Sequence, residues 1–236
     1  MDLNQRIELV RSRIAAAAHA AGRRSEEITL CAATKVQSDE TIRAAIAAGI
    51  TVCGENRVQE LTAHLSQNSY AGARAVHFIG HLQTNKVKQV VGQVDLIQSV
   101  DSSHLLQAIA HQGEKLGVVQ DILLEVNIAN EASKGGCQVE QLPALVEEAM
   151  ELGHVRLRGL MAIPPVSSKS GGNRRYFSRM YQLLVDIRKK MSDNQDVIDC
   201  LSMGMSADYE DAVLEGATLV RIGTALFGSR PPMGPR

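Results

Sequence analysis

Lys35 closes a short apolar run, Ile28 to Thr34, in which Cys31 and Ala33 alternate with it, so the three share one face if the run is a strand. Small neighbours leave space around the amine. A lysine partly removed from water has a depressed pKa and can attack a carbonyl; the plainer reading is a lysine that snorkels at a strand end. A second cation, Arg221, interrupts Leu219-Val220-Arg221-Ile222, a run that reads as a strand buried on both faces. A guanidinium there needs a partner, either a strand carboxylate such as Glu125 in an ion pair or a bound ligand. Near it in the sequence, Met203-Gly204-Met205-Ser206 and Gly223-Thr224 supply small residues and hydroxyls, and Ser206-Ala207-Asp208 reads as a helix N-cap.

These residues are useful only if the fold gathers them. Eight β-type runs alternate with helical patterns: Ile28 to Thr34, Ile50 to Cys53, Ala75 to Ile79, Val94 to Gln98, Gln120 to Ile128, Val155 to Ala162, Val197 to Leu201 and Ala217 to Ile222. Ser38 reads as the N-cap of a helix that runs to Ala48 and stops at Gly49, and apolar spacing marks further helices over Ser103 to Leu116, Val139 to Leu152 and Tyr176 to Met191. Eight strand–helix units close into a TIM (β/α)8 barrel more readily than they form an open sheet. An open doubly wound sheet would offer a glycine-rich loop after its first strand, whereas here that strand runs into Thr34 and Lys35. The length, 236 residues, suits one barrel domain spanning the chain. Leu3, Ile7, Val10 and Ile14 add an amphipathic helix within residues 1–24 that could plug or flank it, Ser167 to Asn173 reads as flexible, and the proline-rich tail over 229–236 is expected to fray.

Working residues of such barrels collect at the carboxyl ends of the strands, and the loops after strands seven and eight frequently bind phosphate. Asp208, Glu210 and Asp211 suit the helix dipole but would repel a phosphate unless they point away, so Gly223 and Thr224 are expected to carry at least as much of the anion contact as Ser206.

Composition narrows the partners. A net charge of −1 and 3% aromatic residues supply neither a basic field nor stacking platforms, so no nucleic acid is expected. No apolar run approaches the ~20 residues that span a bilayer, and the first helix carries Arg6, Arg11 and Arg13 between its apolar positions, so neither a membrane nor a signal peptide is expected. Cys31, Cys53, Cys137 and Cys200 lack metal-ligand spacing and read as reduced thiols in a cytoplasmic protein; His77, His81 and His104 give no metal set either. Arg174, Arg175 and Arg179 with Arg188, Lys189 and Lys190 read as a solvated helix face, though the first two could meet an anionic partner.

GENRVQE at Gly54–Glu60, HFIGHLQTNK at His77–Lys86, SVDS at Ser99–Ser102, GLMAI at Gly159–Ile163, SMGMSADYEDA at Ser202–Ala212 and VRIGTALFG at Val220–Gly228 together resemble the pyridoxal-phosphate homeostasis proteins over nearly the whole chain. The resemblance implies a barrel of PLP fold type III, similar to the amino-terminal domain of alanine racemases, with pyridoxal 5′-phosphate (PLP) as a Schiff base on Lys35. It implies Asn56 beside the cofactor, Met203 among the cofactor-binding residues, Ser206, Gly223 and Thr224 on its phosphate, and Arg221 facing the pyridine nitrogen, which disfavours protonation there and weakens the ring as an electron sink. Thr34 stands where the family commonly has serine, Gln37-Ser38 where it has lysine-proline, and Val76 where it often has tryptophan.

The resemblance implies a PLP-binding protein acting in vitamin B6 homeostasis and amino-acid and keto-acid balance, without robust turnover, with apo-enzymes as possible recipients; a monomer is expected because no dimerising β-domain is. The rival is an amino-acid racemase, which needs a base on each substrate face; resembling racemases take the second, a tyrosine, from a carboxy-terminal β-domain that is not expected here. A phosphosugar-handling barrel with an aldolase-type lysine would need that lysine on a later strand.

Overall fold

Strands buried on both faces leave no exposed edge only if their sheet closes on itself, and in the computed structural model it does. The strands β1 (Thr29–Ala33), β2 (Val52–Glu55), β3 (Ala75–Phe78), β4 (Leu96–Val100), β5 (Gln120–Glu125), β6 (Val155–Met161), β7 (Cys200–Ser202) and β8 (Leu219–Ile222) are all parallel and pair in chain order, with β8 returning to β1. The structure describes residues 1–131, 134–167, 169, 171–190 and 198–228. The expected tail over 229–236 and two positions of the segment Ser167 to Asn173 lie outside them.

Among the described residues the α-helices are α1 (Leu3–Ala20), α2 (Asp39–Ala47), α3 (Val58–Ser66), α4 (Ser103–Leu116), α5 (Leu142–Glu151), α6 (Arg174–Lys190), α7 (Tyr209–Leu214) and α8 (Thr224–Phe227). Their boundaries follow from capping chemistry. Ser38 caps α2 by accepting the Thr41 N–H at 3.3 Å, and Ser102 does the same for α4, which ends on a left-handed Gly117. The crossover between β3 and β4 is a 3-10 helix, Thr84–Gln89, in place of an α-helix. α1 flanks the barrel instead of plugging it: Ile7, Val10, Ile14, Ala17 and Ala18 are buried on one face, which packs against α7 and α8.

Strand β2 starts later than the apolar run suggests, because the Ile50 N–H bonds the Ala45 carbonyl at 3.0 Å and so belongs to the exit of α2. β5 ends at Glu125, after which Val126 makes an isolated bridge to Cys137.

Alternation divides the strand residues between two cores. Ala32, Cys53, Phe78, Ile97, Ile122, Leu124, Leu160, Leu201, Val220 and Ile222 face outward into the large core shared with the helices. Inside the barrel the apolar filling is small: Cys31, Ala33, Val52, Ile79 and Leu219, and separately Leu96, Leu123 and Met161. The remainder of the interior is polar, and it leads to the site. All four cysteines are free thiols.

Close approach of β6 and β7 depends on Gly159, whose φ is 148° and whose added Cβ would stand 1.8 Å from the Cys200 carbonyl oxygen. Gly159→Ala therefore combines backbone strain with a collision against a strand and should cost about 2–4 kcal/mol. Urea denaturation of the two proteins measures it, and a loss below about 0.5 kcal/mol would contradict the tight β6–β7 approach.

Candidate functional site

Lys35 follows directly on the interior positions Cys31 and Ala33 of β1, at the carboxyl end of the barrel, and is half-buried. The chain turns there. Gln37 N–H bonds the Thr34 carbonyl at 3.0 Å, and Val36 takes a left-handed φ of 59°, a conformation costly for a β-branched residue, with its N–H given to Glu60 Oε2 at 3.1 Å. Below the turn, Thr34 N–H bonds the Gly54 carbonyl at 2.9 Å, and Thr34 Oγ1 lies 2.5 Å from Glu55 Oε1, which also accepts from Tyr70 Oη at 3.0 Å. Glu55 is fully buried, and among the described residues its Oε2 has no hydrogen-bond partner; burial raises its pKa, with the hydrogen bonds from Thr34 and Tyr70 acting in the opposite direction. The lysine thus sits on a turn held from beneath by a buried carboxyl and from the side by Glu60. Asn56 is half-buried one residue past the end of β2.

Arg221 is buried inside the barrel, level with Cys31 across the β1–β8 pair. It makes no ion pair with Glu125, the partner the sequence offered. Its Nη1 instead donates to Ser202 Oγ on β7, and its Nη2 to the Ala162 carbonyl past the end of β6 at 2.9 Å. Burial lowers its pKa, with Cys31, Glu125 and Asp208 acting in the opposite direction.

Ser206 is not the N-cap of α7; Asp208 takes that position. The Ser206 hydroxyl reaches across to the end of β8, where it accepts the N–H groups of Gly223 at 3.3 Å and Ala225 at 3.1 Å. These amides therefore already converge on one oxygen. Gly223 lies beside Ala33, two positions before Lys35, and an added Cβ would meet Ala33 Cβ at an ordinary 3.5 Å. Thr224 is exposed at the start of α8. Met203, by contrast, is not brought to the mouth: strand alternation turns its fully buried side chain into the outer core. The carboxylates that might oppose an anion are engaged elsewhere, Asp208 with Met205 N–H and Asn173 Nδ2, Asp211 with Gly171 N–H, and Glu210 with Arg13.

Residues 11–231 match the family model described as alanine racemase, N-terminal domain. A pyridoxal phosphate homeostasis protein of Aquifex aeolicus is 41% identical, with 98% of this chain and 99% of that protein covered, and one of Pseudomonas aeruginosa is 39% identical with 96% and 95% covered. This chain belongs to the pyridoxal phosphate homeostasis protein family. Among solved structures, PipY of Synechococcus elongatus with PLP bound superposes with a TM-score of 0.80 at 30% identity, covering 96% of this chain and 100% of that one. An alanine racemase of Clostridium difficile shares the barrel at 16% identity, TM-score 0.68, covering 88% of this chain and 56% of that one.

The family's cofactor is an aldehyde on a pyridine ring with a phosphate arm, and the site suits each part: an amine on a rigid turn, a buried cation beneath, and convergent amides beside it. Deeper lie residues to which the sequence assigned no role at this site, although His77 was weighed as a metal ligand. Ser202, which holds Arg221, donates on to Gln98 Oε1 at 2.6 Å, and Gln98 Nε2 meets His77 Nδ1 at 2.9 Å. Each is polar, buried and at an inward strand position, which is the signal that would have found them.

Glu125, buried at the carboxyl end of β5, has its pKa pushed up to about 7 by burial, partly offset by Arg221 and reinforced by Asp101. Because the folded state then binds the proton more tightly than the unfolded chain, Glu125 withdraws stability as pH rises from about 4.3 toward 7. Glu125→Gln should accordingly gain in melting temperature over the parent protein between pH 5 and pH 8. A difference between the two that stayed constant with pH would refute the raised pKa.

Proposed function

We propose that this protein holds PLP as a Schiff base on Lys35 in the cytoplasm and serves vitamin B6 homeostasis by keeping and releasing the cofactor, without robust turnover. The observation that carries this reading is the convergence of the Gly223 and Ala225 amides on the Ser206 oxygen, with Gly223 itself beside Ala33, on the face that Lys35 continues. Bound PLP supplies an electrophilic aldehyde and an electron-withdrawing ring.

The chain's own residues account for holding it. Lys35 forms the covalent attachment. Gly223 and Thr224, with Ser206, take the phosphate, the amides acting as fixed donors and the hydroxyls adjusting to the bound oxygens. Arg221, held by Ser202 and the Ala162 carbonyl, is a donor without acceptor capacity, so beneath the pyridine nitrogen it keeps that nitrogen unprotonated. Asn56 borders the ring; Met203 contributes through its backbone, since its side chain lies in the outer core.

Weak turnover follows from the same geometry. An unprotonated ring is a poor electron sink, and a racemase needs a second base opposite the lysine. The four tyrosines are engaged elsewhere: Tyr70 on Glu55, Tyr209 in the outer core, Tyr176 beside Arg175, and Tyr181 over Gly216. The protein acts as a monomer, and apo-enzymes that need PLP are its recipients.

The protein should purify yellow, and borohydride reduction followed by peptide mapping should find the label on Lys35; a label chiefly on Lys86 or Lys134 would refute the assignment. A bulky residue at Gly223 should weaken PLP retention more than Thr224→Ala, which removes one charge-assisted bond worth about 1.5–3 kcal/mol. Arg221→Ala should alter the absorption and its pH dependence while leaving much of the affinity. The reverse pattern, with binding abolished at Arg221 and normal at Gly223, would defeat the division between ring and phosphate. With a panel of amino acids, racemisation near the ~10 s⁻¹ of ordinary enzymes would overturn the homeostasis reading.

A further inference from the structure

The amino-terminal end of the barrel opens into a polar bowl of about 590 Å³ lined by Thr29, Arg74, His77, Asp95, Asp121 and Arg158, among others. Most of its charges are matched. Asp121 accepts from Arg156 Nε at 2.6 Å and from Arg158 Nη1 at 3.0 Å, Asp199 accepts from Arg158 Nη2 at 2.9 Å, and Asp95 accepts the Val76 N–H at 2.7 Å. Two donors are not. Arg74 is exposed, and its guanidinium makes no hydrogen bond or ion pair among the described residues. His77, only 7% exposed, spends Nδ1 on Gln98, and its Nε2 meets no partner among the described residues.

Which His77 nitrogen carries the proton follows from the other end of the chain of bonds. Arg221 can only donate, so Ser202 Oγ accepts from it and sends its own hydrogen to Gln98 Oε1. Gln98 therefore presents its amide nitrogen to His77, whose Nδ1 must accept, and the ring hydrogen is on Nε2. Burial, with Arg74 adding to it and Asp121 opposing, holds the His77 pKa down to about 4, so the ring stays neutral and keeps this tautomer. The bonds run head to tail from Arg221 through Ser202, Gln98 and His77, and every donor points toward the bowl.

We propose that the amino-terminal bowl is an oxyanion site, in which His77 Nε2–H and the Arg74 guanidinium take two oxygens of a small carboxylate or phosphate. Occupancy is felt at Arg221. An acceptor on Nε2–H makes Nδ1 a better acceptor for Gln98, and each bond in a head-to-tail chain polarises the next. Binding in the bowl needs nothing from the function proposed above; its effect on the cofactor does rest on Arg221 lying beneath the ring.

The test is a nitrogen-15 histidine NMR titration of the PLP-loaded full chain with inorganic phosphate and, separately, acetate, alongside the visible absorption of the cofactor. The His77 Nε2–H signal should shift and saturate, and the surface variant Arg74→Ala should weaken that response about tenfold, the effect of losing one charge-assisted contact. Response to acetate assigns the site to carboxylates in general, and response to phosphate alone assigns it to phosphates. The cofactor band should move with the same saturation curve, and in Ser202→Ala that movement should vanish while the His77 shift persists. An unmoved His77 signal, or one that responds equally in Arg74→Ala, overturns the site. A band shift with His77 unmoved puts the anion at the carboxyl end and overturns it as well. His77 titrating normally with the band unmoved overturns the coupling. If the protein carried no PLP there would be no band at all, and the His77 titration would still decide the site.

Discussion

A guanidinium buried inside a barrel is the constraint around which this interior is built. Arg221 cannot be left without acceptors, and the two it has come from neighbouring strand ends, Ser202 on β7 and the carbonyl of Ala162 past β6. Supplying them requires β6 and β7 to approach closely, which Gly159 permits, and it requires Ser202 to pass its own hydrogen to Gln98. The polar chain then has to end somewhere. It ends on His77, a side chain that can accept on one nitrogen and donate on the other. Much of the barrel interior is thus committed to one buried charge, and its apolar filling is correspondingly slight.

On the other side of the mouth, the lysine turn is held by different means. Here the support comes from behind the sheet, where Glu55, Thr34 and Tyr70 share a buried cluster at the junction of β1 and β2. Glu60 holds the strained Val36 amide in front. A covalent attachment point needs a fixed backbone more than a crowded side chain, and the side chains that brace the turn come from behind and in front of it, not from the side of Gly223.

The two ends of the barrel divide the labour differently. Charges at the carboxyl end are turned away from the mouth or buried beneath it, which suits an occupant with its own phosphate. Those at the amino-terminal end form paired networks, Arg156–Asp121–Arg158–Asp199 above all, that tie strands β5, β6 and the entry to β7 together. Such networks at partly exposed positions orient their members more than they stabilise the fold.

Local patterns were enough to determine that eight strands alternate with helices, the limits of α2 and α4, and the residues worth watching. Alternation put Lys35, Ala33 and Cys31 on one face, Ser38 and Gly49 bounded α2, and an arginine inside an apolar run marked Arg221 as a charge with a task. These are properties of nearest neighbours in the chain. What the tertiary structure decided were pairings between strands far apart in sequence. The Ser206 hydroxyl, next to a helix start and so a natural cap by local rules, bonds the amides after β8 because closing the barrel brings that loop within reach. Met203, one residue past Ser202, turns outward because the pleat allows only every second residue to face the mouth. The partner of Arg221 could not be read from the sequence either: Glu125, Ser202 and a carbonyl were all chemically acceptable, and only the stagger between strands placed two of the three within hydrogen-bonding distance.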